Sequence, residues 1–432
     1  MNSLSCVEYI LRFLLGDVAD VDKYLSLIGY LSDNQQFCNY KIIIQPCGFF
    51  EDDNYGKMEP QLPLQTIENV PLLFGESKIS QSDNLLIINA DIVASSYFLL
   101  SRYEEYIHPQ KRDEHGRFLG QYSLPYRVGF LQRPIVEEYG KLLRQWLRAV
   151  GVNIPEPTAQ LQKAYLTTDI DIPSIGRTWR GLAKGLLNPK TAQKAVKNYL
   201  SPINTNPAFT FPWLSEQRNK LINSNLCFST EMFCFFKTGG KTKQDKPHYD
   251  IFSADLQYIL NFCHKNDINI GLHASYEAGI YPQKIGAEKL LLEKATGEKI
   301  TANRHHFLSC REPKDLQVLE NEGITDDFTM GYADMAGFRL GTCRAVHYIH
   351  PATKSVHSLI LHPLTVMDCT LDRYMNLSLE DAYELCTTLI RQSAQNHGEI
   401  TLLWHNHYHL EIYSSWQKTL YEKIIAFLRE NL

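Results

Sequence analysis

The sequence predicts an α/β protein in two parts, a smaller mixed domain over residues 1–155 and a larger one over 156–432. Three observations predict it. In the second part, short apolar runs at 164–168, 226–229, 268–272, 300–303, 358–361 and 399–404 read as strands, with helical patterns between them. Strands alternating with amphipathic helices build a parallel sheet or a barrel. Between the parts, Pro155 and Pro157 follow a helical run ending near Ala149, a break that disfavours continued helix. The 432 residues are 44% hydrophobic and 21% charged, the balance of chains that bury a sizeable core.

The opening stretch sets Glu8, Arg12 and Asp17 around an apolar face and lacks a basic leader, so it reads as an amphipathic helix rather than a signal peptide. Runs at 41–45 and 85–88 read as strands, and 91–106 as a helix. In the second part, Ser253 opens a helix whose Leu256, Ile259, Leu260 and Cys263 share one face. Ser378 and Asp381 have capping-box spacing, and Ala382, Leu385, Cys386, Leu389 and Ile390 form the buried stripe behind them. Trp416, Leu420, Ile424, Phe427 and Leu428 mark the last helix. No apolar run approaches the roughly 18 residues that cross a bilayer. The ten cysteines contain no Cys-x-x-Cys pair and read as reduced thiols, so the expectation is a soluble cytoplasmic protein. A net charge of −5 argues against a general nucleic-acid binder, which shows a basic footprint.

Four polar groups stand at the ends of expected strands, where α/β barrels place their chemistry. Asp169 and Asp171 are spaced i, i+2 and share a face in extended chain; two such carboxylates repel unless a cation or shared proton relieves them. Helix capping before Pro173 is the simpler structural reading. His273 closes a glycine-containing strand with Glu277 four residues on, a donor pair that suits a divalent metal; a structural histidine is the plainer alternative. Arg304, His305 and His306 can orient a carboxylate through the guanidinium while one imidazole binds metal. His405, His407 and His409 follow an apolar strand, and strict alternation would point all three the same way. The His405-Asn406-His407 string lacks the ββα surroundings that a nuclease of that type needs. One shared site accounts for all four groups more economically than four separate structural roles.

The order Thr-x-Asp-x-Asp at 167–171, Gly-Leu-His-x-Ser-Tyr at 271–276, Arg-x-His-x-Leu at 304–308 and a late Trp404-His405 resembles the polysaccharide deacetylase superfamily, carbohydrate esterase family four in the broad sense. Segments 96–105 and 113–118 resemble the N-terminal domain of a bacterial branch. The resemblance implies an irregular (β/α) barrel of about seven strands after the smaller α/β domain. It implies a metal-dependent hydrolase that removes acetyl groups, N-acetyl favoured, from a carbohydrate. Asp169 would be the base, Arg304 the arginine holding it, and His405 the general acid. Asp171 and His273 would bind the cation, zinc by ligand type. The family's second histidine is Glu277 here, so the third ligand is Glu277 or, preferred, His306.

The substrate partner would be a glycan or acetylated amino sugar. A catalytically silent carbohydrate-binding protein is the rival reading, and a metal-dependent nuclease or phosphoesterase a second one, disfavoured by net charge and the lack of a phosphate-cradling glycine loop. Three further features complete the reading. Residues 337–342 line a sugar groove or make a turn. Asp368 supports His405 or caps a helix. Six basic residues and no acidic one between Arg177 and Tyr199 form a solvated helix face, or a surface for an anionic glycan or membrane.

Overall fold

The computed structural model describes residues 5–432 apart from 83, 178, 225, 312, 411 and 412. They form two compact units: Met1–Leu161 with Met330–Thr365 and Leu389–Glu399, and Gln162–Thr329 with Val366–Thr388 and Ile400–Leu432.

In the first unit, Ser5 caps the helix Cys6–Leu15 by accepting from the Glu8 N–H, and Ile10, Leu14 and Leu15 bury its apolar face. Strands Ile28–Tyr30, Ile42–Ile44 and Leu85–Ala90 are parallel, with Gly75–Ser82 antiparallel at one edge. The middle strand is three isoleucines, all fully buried, as a parallel strand covered on both faces requires. Asp91 caps the helix Ile92–Leu100 through the Ala94 N–H at 2.8 Å. The later segment 330–365 adds an antiparallel hairpin, Val346–Ile349 with Val356–Leu361. Within it Arg339 grips Glu105 through two bonds of 2.6 and 2.9 Å, and Thr342 and Arg344 both reach Glu137. The 337–342 stretch therefore serves the packing of this unit.

The second unit is built on strands labelled here β1 (Lys163–Ile170), β2 (Ser229–Phe236), β3 (Asn269–Ala274), β4 (Ala302–His305), β5 (Asp326–Asp327), β6 (Val366–Met367) and β7 (Glu399–Leu403). Their order is β5-β4-β3-β2-β1-β7-β6, and the pairs β1–β2, β2–β3, β3–β4, β4–β5 and β6–β7 are parallel. β5 and β6 are not bonded to each other, so this run of strands is not closed by its own ends. The architecture is mixed α/β. Tyr165, Phe235, Ala302 and Phe328 form one core cluster from β1, β2, β4 and the end of β5.

Three strand expectations shift. The run at 226–229 precedes its strand, which starts at Ser229 and continues through Met232-Phe233-Cys234-Phe235-Phe236. The strand expected at 300–303 lies at Ala302–His305. The strand at 358–361 exists but is antiparallel and belongs to the first unit. β5 and β6, two residues each, are too short to show a period. The helices opened by Ser253 and Ser378 form, each with its serine oxygen on the cap.

No described helix is long and apolar enough to cross a membrane. No disulfide joins the ten cysteines. The basic stretch forms the helices Trp179–Leu186 and Pro189–Leu200, tethered at its start by Arg177 to Asp255 at 2.6 and 2.8 Å.

Candidate metal centre

Because the paired strands run parallel, their C-terminal ends lie together, and all but β5 deliver a polar side chain there. β1 supplies Asp169 and, just past its end, Asp171; β3 supplies His273; β4 supplies Arg304 and the turn after it His306. His405 follows β7 and Asp368 follows β6. Two groups that the sequence did not single out join them. Lys237 is the first residue after β2, and Asp245 comes from the loop beyond it.

Asp171, His273 and His306 bring one donor atom each to within 4.8 Å of one another. Asp171 Oδ1 lies 3.5 Å from His273 Nε2 and 3.3 Å from His306 Nε2. Ligands on one tetrahedral zinc, at bonds of about 2.0–2.1 Å, stand roughly 3.3–3.4 Å apart, so both spacings match the edge of such a site. The protonation pattern agrees. His273 Nδ1 faces the Arg304 carbonyl at 2.8 Å, and a carbonyl only accepts, so the proton sits on Nδ1 and the Nε2 lone pair is free. His306 Nδ1 donates in the same way to Asp245 Oδ1 at 3.3 Å. A histidine whose outer nitrogen is held by a carboxylate or carbonyl is the usual support of a metal ligand. His273 Nε2 and Asp171 Oδ1 are also buried without a hydrogen-bond partner among the described residues. A cation would satisfy both. The residues fit a divalent metal.

Two other donor groups fit less well. In the set His305, Cys310 and Asp315, the Asn303 amide donates to His305 Nδ1 at 3.1 Å, which leaves the proton on Nε2 and no lone pair there for a cation. In the set Asp368, Cys369 and His405, the His405 Nδ1 is already bonded to Asp368 Oδ1 at 2.8 Å.

The charge pattern separates the two aspartates. Asp169 is 2% exposed, and Arg304 Nη1 holds its Oδ1 at 3.1 Å. The guanidinium is fully buried, stacked 4.8 Å over the Phe235 ring and bonded to Thr167 and the Phe328 carbonyl. Burial pushes the Asp171 carboxyl up, but its contacts with His306, Lys237 and His273 outweigh it and hold it well below the usual range. Lys237 Nζ stands 3.6 Å from Asp171 Oδ1. Burial alone would lower His405; the adjoining Asp368 charge and hydrogen bond instead raise it to about 9. His405 Nε2 lies 3.6 Å from Asp171 Oδ2.

Residues 2–151 match a family model described as a family of unknown function (DUF7033). No curated protein matches. A crystal structure from Mycobacterium smegmatis, described as a candidate polysaccharide deacetylase, is similar at 13% identity and a TM-score of 0.41 over 64% of this chain and 87% of that one.

The structure brings together all six residues singled out from the sequence: Asp169, Asp171, His273, Arg304, His306 and His405. Glu277 points elsewhere: its carboxylate pairs with Lys284 at 2.6 Å and accepts from the Lys241 N–H. The expected alternation of His405, His407 and His409 does not form, because β7 ends at Leu403 and the chain turns. His407 is pushed down to about 4 and His409 well below its usual value, both first by burial, and His409 packs 4.2 Å from the Trp213 ring. Lys237 stands directly after a strand, a position open to the same sequence argument, but the sequence pattern sets that strand at 226–229, short of it. Asp245 carries no spacing signal in a loop.

Proposed function

We propose that the second unit, the part of 156–432 that remains once 156–161, 330–365 and 389–399 join the first, forms a metal-dependent carbohydrate deacetylase domain, an irregular barrel of the deacetylase type, hydrolysing acetamido groups on a glycan. The observation that carries it is the convergence of two imidazole lone pairs on Asp171, beside an aspartate held by arginine and a histidine held by aspartate. Asp171, His273 and His306 would hold the cation. Bound there, a divalent metal supplies Lewis-acid polarisation of the acetyl carbonyl and a lower pKa for water.

The remaining work belongs to the chain. Asp169 takes the proton of the attacking water, and Arg304 keeps its second oxygen occupied so that one face stays available. A backbone N–H near Phe307 helps hold the oxyanion. His405 keeps its proton near neutrality because Asp368 stabilises the imidazolium, and Nε2 delivers that proton to the departing amine. A silent binding protein on the same fold would keep the cleft without turnover. The test is acetate release from chitotetraose with zinc present. Release by the native chain and its collapse in Asp169→Asn, with metal content unchanged, supports the reading; undiminished release from Asp169→Asn sinks the base assignment, and no release from zinc-loaded native protein favours the silent binder.

A further inference from the structure

The first unit contains an open cleft of about 850 Å³ that is unrelated to the metal residues. It sits beyond the carboxyl ends of the three parallel strands: Ser32 follows Ile28–Tyr30, Gln45 follows Ile42–Ile44, and Asn89 is near the end of Leu85–Ala90. That is where open α/β sheets bind ligands, because the diverging loops leave a crevice at this edge. The volume lies in the range of small-molecule sites, roughly 300–1,000 Å³.

The lining says what kind of ligand. Among its described residues are no lysine, arginine or histidine, and it includes the carboxylates Glu76 and Glu59, the latter paired with His108 at 3.0 Å, so it offers a phosphate or other anion no cationic partner. Four primary amides line it instead: Gln45, Gln61, Gln65 and Asn89. An amide offers donors and an acceptor side by side, the complement of neighbouring sugar hydroxyls that do the same. Two of the amides are already oriented. Asn89 Nδ2 donates to Gln45 Oε1 at 2.8 Å, which leaves Asn89 Oδ1 and Gln45 Nε2, an acceptor and a donor, without protein partners among the described residues. Leu62 and Pro63, both exposed, add apolar surface for the C–H face of a ring.

The walls are built rather than incidental. Asp91, fully buried, accepts from the Cys47 N–H at 2.9 Å, the Tyr30 hydroxyl at 2.9 Å and the Ala94 N–H at 2.8 Å, tying the loop after one strand to the end of another and to the following helix. We infer that this cleft is a second binding site, for a neutral oligosaccharide of roughly two or three rings, seated on the Gln45–Asn89 amide pair. The inference does not depend on the proposed activity.

Isothermal titration of the full chain with maltotetraose and with chitotetraose tests it. Saturable binding in the millimolar range or tighter is expected for at least one probe. It should weaken about tenfold or more in Asn89→Ala and Gln45→Ala, and measurably in Gln61→Ala, an exposed position where folding is not at stake. It should persist in Asp171→Ala, which disables the metal centre. Absence of binding for both probes overturns the inference. So does binding unchanged in all three amide variants, binding lost in Asp171→Ala, or tighter binding of glucose 6-phosphate than of either neutral probe.

Discussion

Replacing His306 with alanine is the most direct challenge to the proposed centre, because the sequence left His306 and Glu277 as rivals. A ligand that binds only the folded state stabilises it by RT ln(1 + [L]/Kd), about 2.7 kcal/mol at a hundredfold excess over Kd. For a domain of about 150–250 residues, each kcal/mol moves Tm by roughly 2–4 °C, so saturating zinc should raise Tm by about 5–11 °C. Loss of a supporting group alone weakens metal binding about 10–100-fold, and losing a ligand should exceed that. At the same zinc concentration a hundredfold weaker site retains about 0.4 kcal/mol, a shift of about 1 °C. Glu277→Ala should keep the full shift, because that carboxylate is committed to Lys284. Differential scanning fluorimetry with and without zinc, alongside metal content by mass spectrometry, reads both variants. Zinc bound by unfolded cysteines affects both equally and cancels in the comparison. An intact shift in His306→Ala, or a lost one in Glu277→Ala, would refute the ligand set.

Further outcomes follow from the same geometry. Asp169→Asn should leave zinc content and its thermal shift unchanged while turnover falls about 10²–10⁴-fold, the usual size of a general-base contribution; steady-state acetate release checks it. Asp368→Asn removes the charge that raises His405, so kcat should fall while zinc content holds, a split that a mere folding defect would not produce. Glu288 offers a pH test away from the ligands. Burial pushes its carboxyl from 4.5 to about 7, with Asp245 and Glu277 adding to the rise against its bonds from Ser275. The folded state therefore holds a proton that the unfolded chain releases between those values. Its stabilising contribution is complete below 4.5 and lost as pH rises through about 7, a difference of about 3 kcal/mol. Urea unfolding of wild type and Glu288→Gln at about pH 5 and about pH 8 should show that the variant loses this dependence; equal slopes in both proteins would discard it.

What the sequence revealed and what it withheld divide along a physical line. Residues at strand ends were legible because an apolar run stopping at a polar residue is a local pattern: Asp169, His273, Arg304 and His405 all show it. Helices with a capped start and a 3.6-residue stripe, such as those opened by Ser253 and Ser378, were equally plain. The two-residue strands β5 and β6 were not, since their existence depends on neighbours in space. Asp245 was invisible for the same reason. It is held by the backbone N–H of Tyr276 at 2.7 Å and by Thr242, and only the fold carries it to His306. The split of segments 330–365 and 389–399 into the first unit has no local signal either, because Arg339 and Glu105 pair across more than two hundred positions.

The register between β3 and β4 explains how two acidic residues at i, i+2 come to separate tasks. His273 pairs directly with Arg304 across the ladder. Arg304 therefore acts twice: its carbonyl fixes the His273 ring with Nε2 at 3.5 Å from both Asp169 and Asp171, and its side chain reaches Asp169. The carbonyl belongs to the backbone and is insensitive to the side chain, whereas the guanidinium contact is specific to arginine. In the proposed assignment, one strand would position a cation ligand through a feature any residue provides and the base through a feature only arginine provides. Asp169, at the end of the strand, is deep enough to be claimed by that guanidinium. Asp171 lies beyond β1, where the nearest partners are imidazoles and Lys237, so its oxygens remain free for a cation. The division of labour proposed for the pair would follow from how far each carboxylate stands along a single strand.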